Sequence, residues 1–206
     1  MMMNGSPIVW DDVILKCRHG NLMKLLENLP REDWNDRAPS GGTLLHFACL
    51  GPNIKASMLL IKSKLFSANE RDNWNNTPAH FAAVHAFPSL IEILCAAGAD
   101  LRALNRNGYA PIDEALGSMH MSRSIICVHV LVANGVRLST VHPRYRFYIT
   151  REMETFERGV LKCRKVFIAT LRVKRAGKLW RWDKYLLREI GFAIWATRYD
   201  NKWSTL

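Results

Sequence analysis

No apolar run in this 206-residue chain reaches the roughly 18 residues that a helix needs to cross a bilayer. Met1 to Pro7 shows no basic segment followed by an apolar stretch, so a secretory leader is not expected. Cysteine is sparse and scattered. Cys17, Cys49, Cys95, Cys127 and Cys163 are odd in number and form no Cys-x-x-Cys pair. That excludes the usual spacing of a zinc site, argues against a disulfide framework, and fits a reducing intracellular setting, cytoplasmic or nuclear. No Gly-rich phosphate loop and no Gly-x-Ser-x-Gly elbow is present. Charge is unevenly placed, because basic residues crowd into the last third. Residues 1–143 carry 13 Lys/Arg against 12 Asp/Glu, whereas residues 144–206 carry 16 against 6. Nearly all of the net charge of +11 therefore lies beyond residue 143, and a domain boundary is placed at that change.

What the sequence does contain is a recurrence. Asp72-Asn73-Trp74-Asn75-Asn76-Thr77-Pro78-Ala79-His80-Phe81-Ala82-Ala83 is followed by Ile91-Glu92-Ile93-Leu94-Cys95-Ala96-Ala97-Gly98-Ala99-Asp100. Thr43, Thr77 and Ala110 share one register, as do His46, His80 and Asp113, and Ala48, Ala82 and Ala115. A period near 33 residues marks a stack of helical units, each burying its apolar face against the next. Thr77 and Pro78 suit a helix start, and the small Ala82-Ala83 lets a neighbour approach closely. Gly98 suits a left-handed turn after a helix, and Asn75 the left-handed tip of a hairpin.

These motifs resemble the ankyrin repeat over about residues 10–140. The resemblance implies an all-α ankyrin-repeat solenoid. It has three clear repeats, about 38–71, 72–104 and 105–138, behind an N-terminal capping helix pair at 7–30, together a domain over 1–139. In the second unit Leu44 stands where the family has proline, Lys64 or Leu65 where it has a helix-ending glycine, and one extra residue is placed around Gly51-Pro52-Asn53. Gly98 to Gly135 spans 37 residues, and the insertion is expected to lengthen the loop near Gly117 to Arg123. Beyond it, Thr140 to Tyr148 reads as a connector. Thr150 reads as the N-cap of the first of two helices forming a basic C-terminal hairpin over 140–206.

Catalysis has no support in the pattern. His46 and His80 read as bridges between successive units, and Asp113-Glu114 are adjacent on a helix and so diverge by about 100°. No enzyme, metal, cofactor or small-molecule substrate is expected. In the family, partners meet the hairpin tips and the concave face of the first helices. Carried onto matching positions, this implies a protein-binding surface of Asn73, Trp74, Asn76, Val84, His85, Arg106, Asn107 and Tyr109. The alternative for Trp74 is that its indole folds back on the next tip, against Tyr109. Trp34 is grouped with the same loops. Arg172, Lys174, Arg175, Lys178, Arg181, Lys184 and Arg188 form a basic surface interleaved with Trp180 and Trp182. That composition suits an acidic protein, which would make the chain an adaptor. It also suits a nucleic acid, an anionic membrane surface, or a solvated face with no partner.

Overall fold

The computed structural model describes residues 9–30, 32–118 and 121–162. The basic surface from Arg172 to Arg188 and the second tail helix lie outside them. The chain divides into two compact units, Met1–Glu154 and Thr155–Leu206.

The first unit is a stack of helix pairs with no strand among the described residues. The pairs are α1 (Trp10–Arg18) with α2 (Leu22–Asn28), α3 (Leu44–Ala48) with α4 (Ile54–Lys62), α5 (Pro78–Val84) with α6 (Pro88–Ala96), and α7 (Pro111–Gly117) with α8 (Met121–Ala133). First helices pack on first helices through Ala48, Ala82 and Ala115, all fully buried, whose methyl side chains allow a close approach. Second helices pack through Leu60, Leu94 and Leu131, also fully buried. Between each pair and the next, the chain crosses a short hairpin.

The hairpin at Ala38–Gly42 leads from the first pair to the second, and one buried amide also joins these two pairs. Asn53 donates to the Cys17 carbonyl at 2.7 Å and the Ala48 carbonyl at 3.1 Å, and accepts from the Leu22 N–H at 3.4 Å. Trp34 does not join the line of tips. It is 3% exposed in a 3-10 turn (Asp33–Asn35) under the α2 end, where its indole N–H donates to the Leu29 carbonyl.

The insertion of the fourth unit takes another form than expected, and that of the second unit lies elsewhere. Three residues separate α5 from α6, and three separate α7 from α8. The added residues lengthen the second helix, from 9 residues in α6 to 13 in α8. Four residues are close to one helical turn, so Leu131 falls where Leu94 would and the buried face is kept. The extra residue of the second unit does not lie at Gly51-Pro52-Asn53. Both helices of that unit sit 34 residues before their counterparts. The spare residue falls between Lys64 and Ala68, where Phe66 tucks into the core. Lys64, at φ +57°, takes the left-handed turn that Gly98 takes at +84°.

The expected connector at 140–148 is instead part of the stack. In the third unit Asn76 lies eight positions after buried Ala68, and in the fourth Tyr109 lies eight after buried Leu101. The chain then runs from buried Leu138 to His142 in four. This is a fifth unit from which the four residues of a hairpin tip are missing. A 3-10 helix (Pro143–Tyr148) replaces its first helix, and the Tyr145 ring lies over Gly117, where a Cβ would come within 2.9 Å of it. A helix then occupies 151–162, with the Thr150 hydroxyl accepting the Met153 N–H at 3.3 Å.

Candidate partner-binding surface

The hairpins of the third and fourth units are each organised by their first side chain. Asp72 Oδ1 accepts the N–H groups of Trp74 and Asn76 at 2.9 and 2.7 Å. Asn105 Oδ1 does the same for Asn107 and Tyr109 at 3.0 and 3.1 Å. The tips are then tied into a row. The Asn73 N–H donates to the Ser40 carbonyl and the Arg106 N–H to the Trp74 carbonyl, both at 2.9 Å. Asn73 also donates its side-chain amide to the Pro39 carbonyl at 3.1 Å. Its carboxamide fills the space beside Gly41, where a Cβ would collide with Asn73 Oδ1. Gly41, Asn75 and Gly108 hold the tip at φ +76°, +61° and +76°. Pro39 stands in register with Asn73 and Arg106 but has no N–H to give.

Below the tips, histidines join unit to unit. The Thr77 N–H donates to His80 Nδ1 at 3.0 Å, and the Thr77 hydroxyl lies 2.9 Å from the same atom. Nδ1 is therefore the acceptor and Nε2 carries the hydrogen, which it donates to the Tyr109 carbonyl at 3.0 Å. His46 repeats this with Thr43 and shares its Nε2–H between the Glu70 and Asn76 carbonyls, each at 3.1 Å. Burial lowers both histidine pKa values, to about 4 for His80, so both rings are neutral at pH 7.

The fourth unit makes the same joint with reversed polarity. Asp113 Oδ2 accepts the Ala110 N–H at 2.8 Å, and Oδ1 accepts the His142 N–H at 2.7 Å. The reason lies in the missing tip. In Asn76 and Tyr109 the hairpin takes the backbone N–H, leaving a carbonyl for the joint. His142 has no hairpin before it, so its N–H is what the joint must satisfy, and an acceptor is needed. Threonine goes with histidine and alanine with aspartate for a related reason. The carboxylate takes the N-cap N–H without needing a hydroxyl beside it.

These roles leave His46, His80 and Asp113 occupied in bridging. Among the described residues no three His, Cys, Asp or Glu side chains converge as a metal site. Cys17, Cys49 and Cys127 are buried thiols, and burial pushes Cys17 and Cys127 up to about 12. They stay protonated and unreactive.

The expected surface residues divide by what the stack asks of them. The amides of Asn73 and Asn76 are committed to the tips, the latter donating to Asp72 at 3.1 Å and accepting from Asn105 at 3.0 Å. Tyr109 faces the fifth unit. Its ring meets those of His142 and Tyr145 edge-on at 5.0 and 5.1 Å, and its hydroxyl accepts from Arg144 at 3.1 Å. His85 is half-buried. Trp74 does not fold onto Tyr109. It is 56% exposed, and its indole has no hydrogen bond or ring contact among the described residues. Exposed Arg106 and Asn107 form the next tip, and Val84, 37% exposed, ends α5. Sequence reasoning missed the fifth unit. The 29-residue spacing of Asp113 to His142, equal to that of His80 to Tyr109, is the signal that marks it.

Comparison with known proteins agrees with this geometry. Residues 13–105 match the family model for ankyrin repeats (3 copies), and that stretch carries ankyrin repeats. It is 30% identical over 123 residues to the probable 26S proteasome regulatory subunit p28 of Saccharomyces cerevisiae, covering 58% of this chain and 54% of that one. It is 36% identical over 75 residues to protein phosphatase 1 regulatory subunit 27 of Mus musculus, covering 36% and 48%. A third relative is the B-cell lymphoma 3 protein homolog of Mus musculus, 34% identical over 95 residues and covering 45% and 20%. The chain thus spans about half the length of the first two and a fifth of the third.

Proposed function

We propose that this chain is a non-catalytic interaction protein that holds a partner protein on its hairpin tips. Trp74 is the anchor, Arg106 and Asn107 form the neighbouring tip, and Val84 adds an apolar contact at the far end of α5. The observation that carries the reading is the contrast at one tip. Asp72, Asn73 and Asn76 are drawn into the stack, while the neighbouring indole stays 56% exposed and unbonded. A large aromatic side chain held on a rigid tip supplies contact area at low entropic cost, and Trp and Arg are enriched at binding hot spots. Support also comes from two relatives named as regulatory subunits, of a proteasome and of a phosphatase. The basic residues Arg172 to Arg188 supply a second contact, which makes the protein an adaptor.

Affinity capture from cell extract with the full chain and with Trp74→Ala tests this. The variant is expected to lose its partner while its unfolding free energy changes by less than about 0.5 kcal/mol, as for an exposed side chain. An unchanged set of captured proteins would sink the assignment. Retention that disappears with nuclease, or falls by orders of magnitude between low and physiological salt, would point to nucleic acid instead.

A further inference from the structure

The end of the stack carries a second feature that the tips do not explain. Phe147 is 92% exposed, more than any other large apolar side chain described. It is not an isolated ring. Tyr148, itself 49% exposed, lies 6.0 Å from it, and Tyr145 lies 6.4 Å from Tyr148. Tyr145 in turn stacks edge-on against Tyr109, which meets His142. The surface is therefore a continuous aromatic face held on a short 3-10 helix. That helix is fixed by the part-buried Asp113–His142 bond and by the Tyr145 ring on Gly117. A rigid, exposed aromatic face is what a binding surface requires and what a free surface avoids.

Its exposed charges are arginines, with half-buried Glu114 behind the Tyr145 ring. Arg144 lies 5.9 Å over the Tyr145 ring and donates to the Tyr109 hydroxyl, and Arg146 donates to the Val141 carbonyl. Both guanidinium groups are thereby oriented, yet neither is paired with a carboxylate among the described residues. Residues 134–150 contain three arginines and no Asp or Glu.

We infer that the face formed by Tyr109, His142, Arg144, Tyr145, Phe147 and Tyr148 is a second docking surface, and that it takes an acidic, extended segment of a partner protein bearing an apolar side chain. Carboxylates pair with the guanidinium groups, and the apolar side chain covers Phe147. Charge decides against two other occupants. Residues 163–206 of this chain carry 11 Lys/Arg against 3 Asp/Glu and do not complement a basic face. A two-fold pairing of two copies would bring this face against itself, arginine on arginine.

The test uses the full chain and fluorescence anisotropy with labelled ten-residue peptides. Each has a central Leu-Leu pair flanked by Glu, by Ser or by Lys. Only the Glu peptide is expected to bind. Arg144→Glu and Phe147→Ser should each weaken it at least about tenfold. Trp74→Ala and Arg181→Glu should leave it unchanged, which separates this face from the tips and from general attraction to the basic residues. Thermal melts matching the parent chain confirm that both weakened variants are folded. Binding that ignores peptide charge, no binding, or equal weakening by Arg181→Glu and Arg144→Glu overturns the inference. So does a concentration-dependent dimer that Phe147→Ser abolishes, which would assign the face to a second copy.

Discussion

The joint beyond the third unit and the joint beyond the fourth occupy the same rung of the repeat and solve opposite problems. At the first, His80 takes a helix-capping N–H on one ring nitrogen and gives a hydrogen to the Tyr109 carbonyl with the other. At the second, Asp113 takes a capping N–H on one oxygen and a second N–H, from His142, on the other. The change of residue follows from what comes next in the chain. A complete hairpin consumes its own N–H and presents a carbonyl, whereas a unit without a tip presents the N–H. A departure from the repeat pattern is therefore a statement about the following unit rather than about its own.

The largest expected effect comes from exchanging the two residues. His80→Asp would set a carboxylate oxygen against the Tyr109 carbonyl in a buried site, and Asp113→His would set a ring N–H against the His142 N–H. Each loses a bond and leaves a buried group unsatisfied, for about 3–5 kcal/mol. Urea unfolding measures this. A loss under about 1 kcal/mol in either exchange would show that the joints are interchangeable and the polarity argument mistaken.

Next in size is acid. His80 is held neutral with its pKa lowered from the ordinary 6.5 to about 4, and His46 is lowered too. The unfolded chain then binds protons before the folded one does as pH falls. Stability is therefore full above about 6.5 and declines through the window down to about 4, by on the order of 3 kcal/mol from His80 alone. Denaturant midpoints taken from pH 7 to pH 4 should slope downward in the parent chain and less steeply in His80→Ala. Parallel slopes would break the contrast between the titrating joint and the carboxylate one.

The smallest effect lies in the turns. Lys64→Gly places in the second unit the residue that Gly98 supplies in the third. Because Lys64 sits at φ +57°, the change should stabilise by about 0.5–1 kcal/mol. A loss on calorimetry would mean that the lysine stem packs where the backbone suggests only strain.

The stack itself was legible because its causes are local. Thr77, Pro78, His80 and Ala82 each have a reason to be where they are within one unit, and Asn75 at the tip followed from the left-handed turn it must adopt. The misplacements came where a local signal has two readings. Four added residues read equally as a longer loop or as another turn of helix, and only the burial of Leu131 decides between them. Trp34 and Trp74 both look like loop tryptophans, yet one fills the base of α2 while the other stands clear. Tyr109 was assigned to the tips, but its ring is taken by residues 33–36 positions later, whose packing no single unit foretells. The surface was thus less readable than the scaffold, because a side chain's freedom depends on every unit around it.

Pro39 gives the row of tips a direction. Each later tip offers an N–H to the one before it, so the row is a polar file with a giving end and a receiving end. At the giving end the hydrogen is absent, since proline stands in the donor's place. The Asn107 carbonyl, in register with those of Ser40 and Trp74, marks the receiving end. Two copies laid end to end would bring Asn107 to Pro39, an acceptor facing a residue with nothing to donate. The row therefore ends with no hydrogen to offer at one end and a carbonyl at the other.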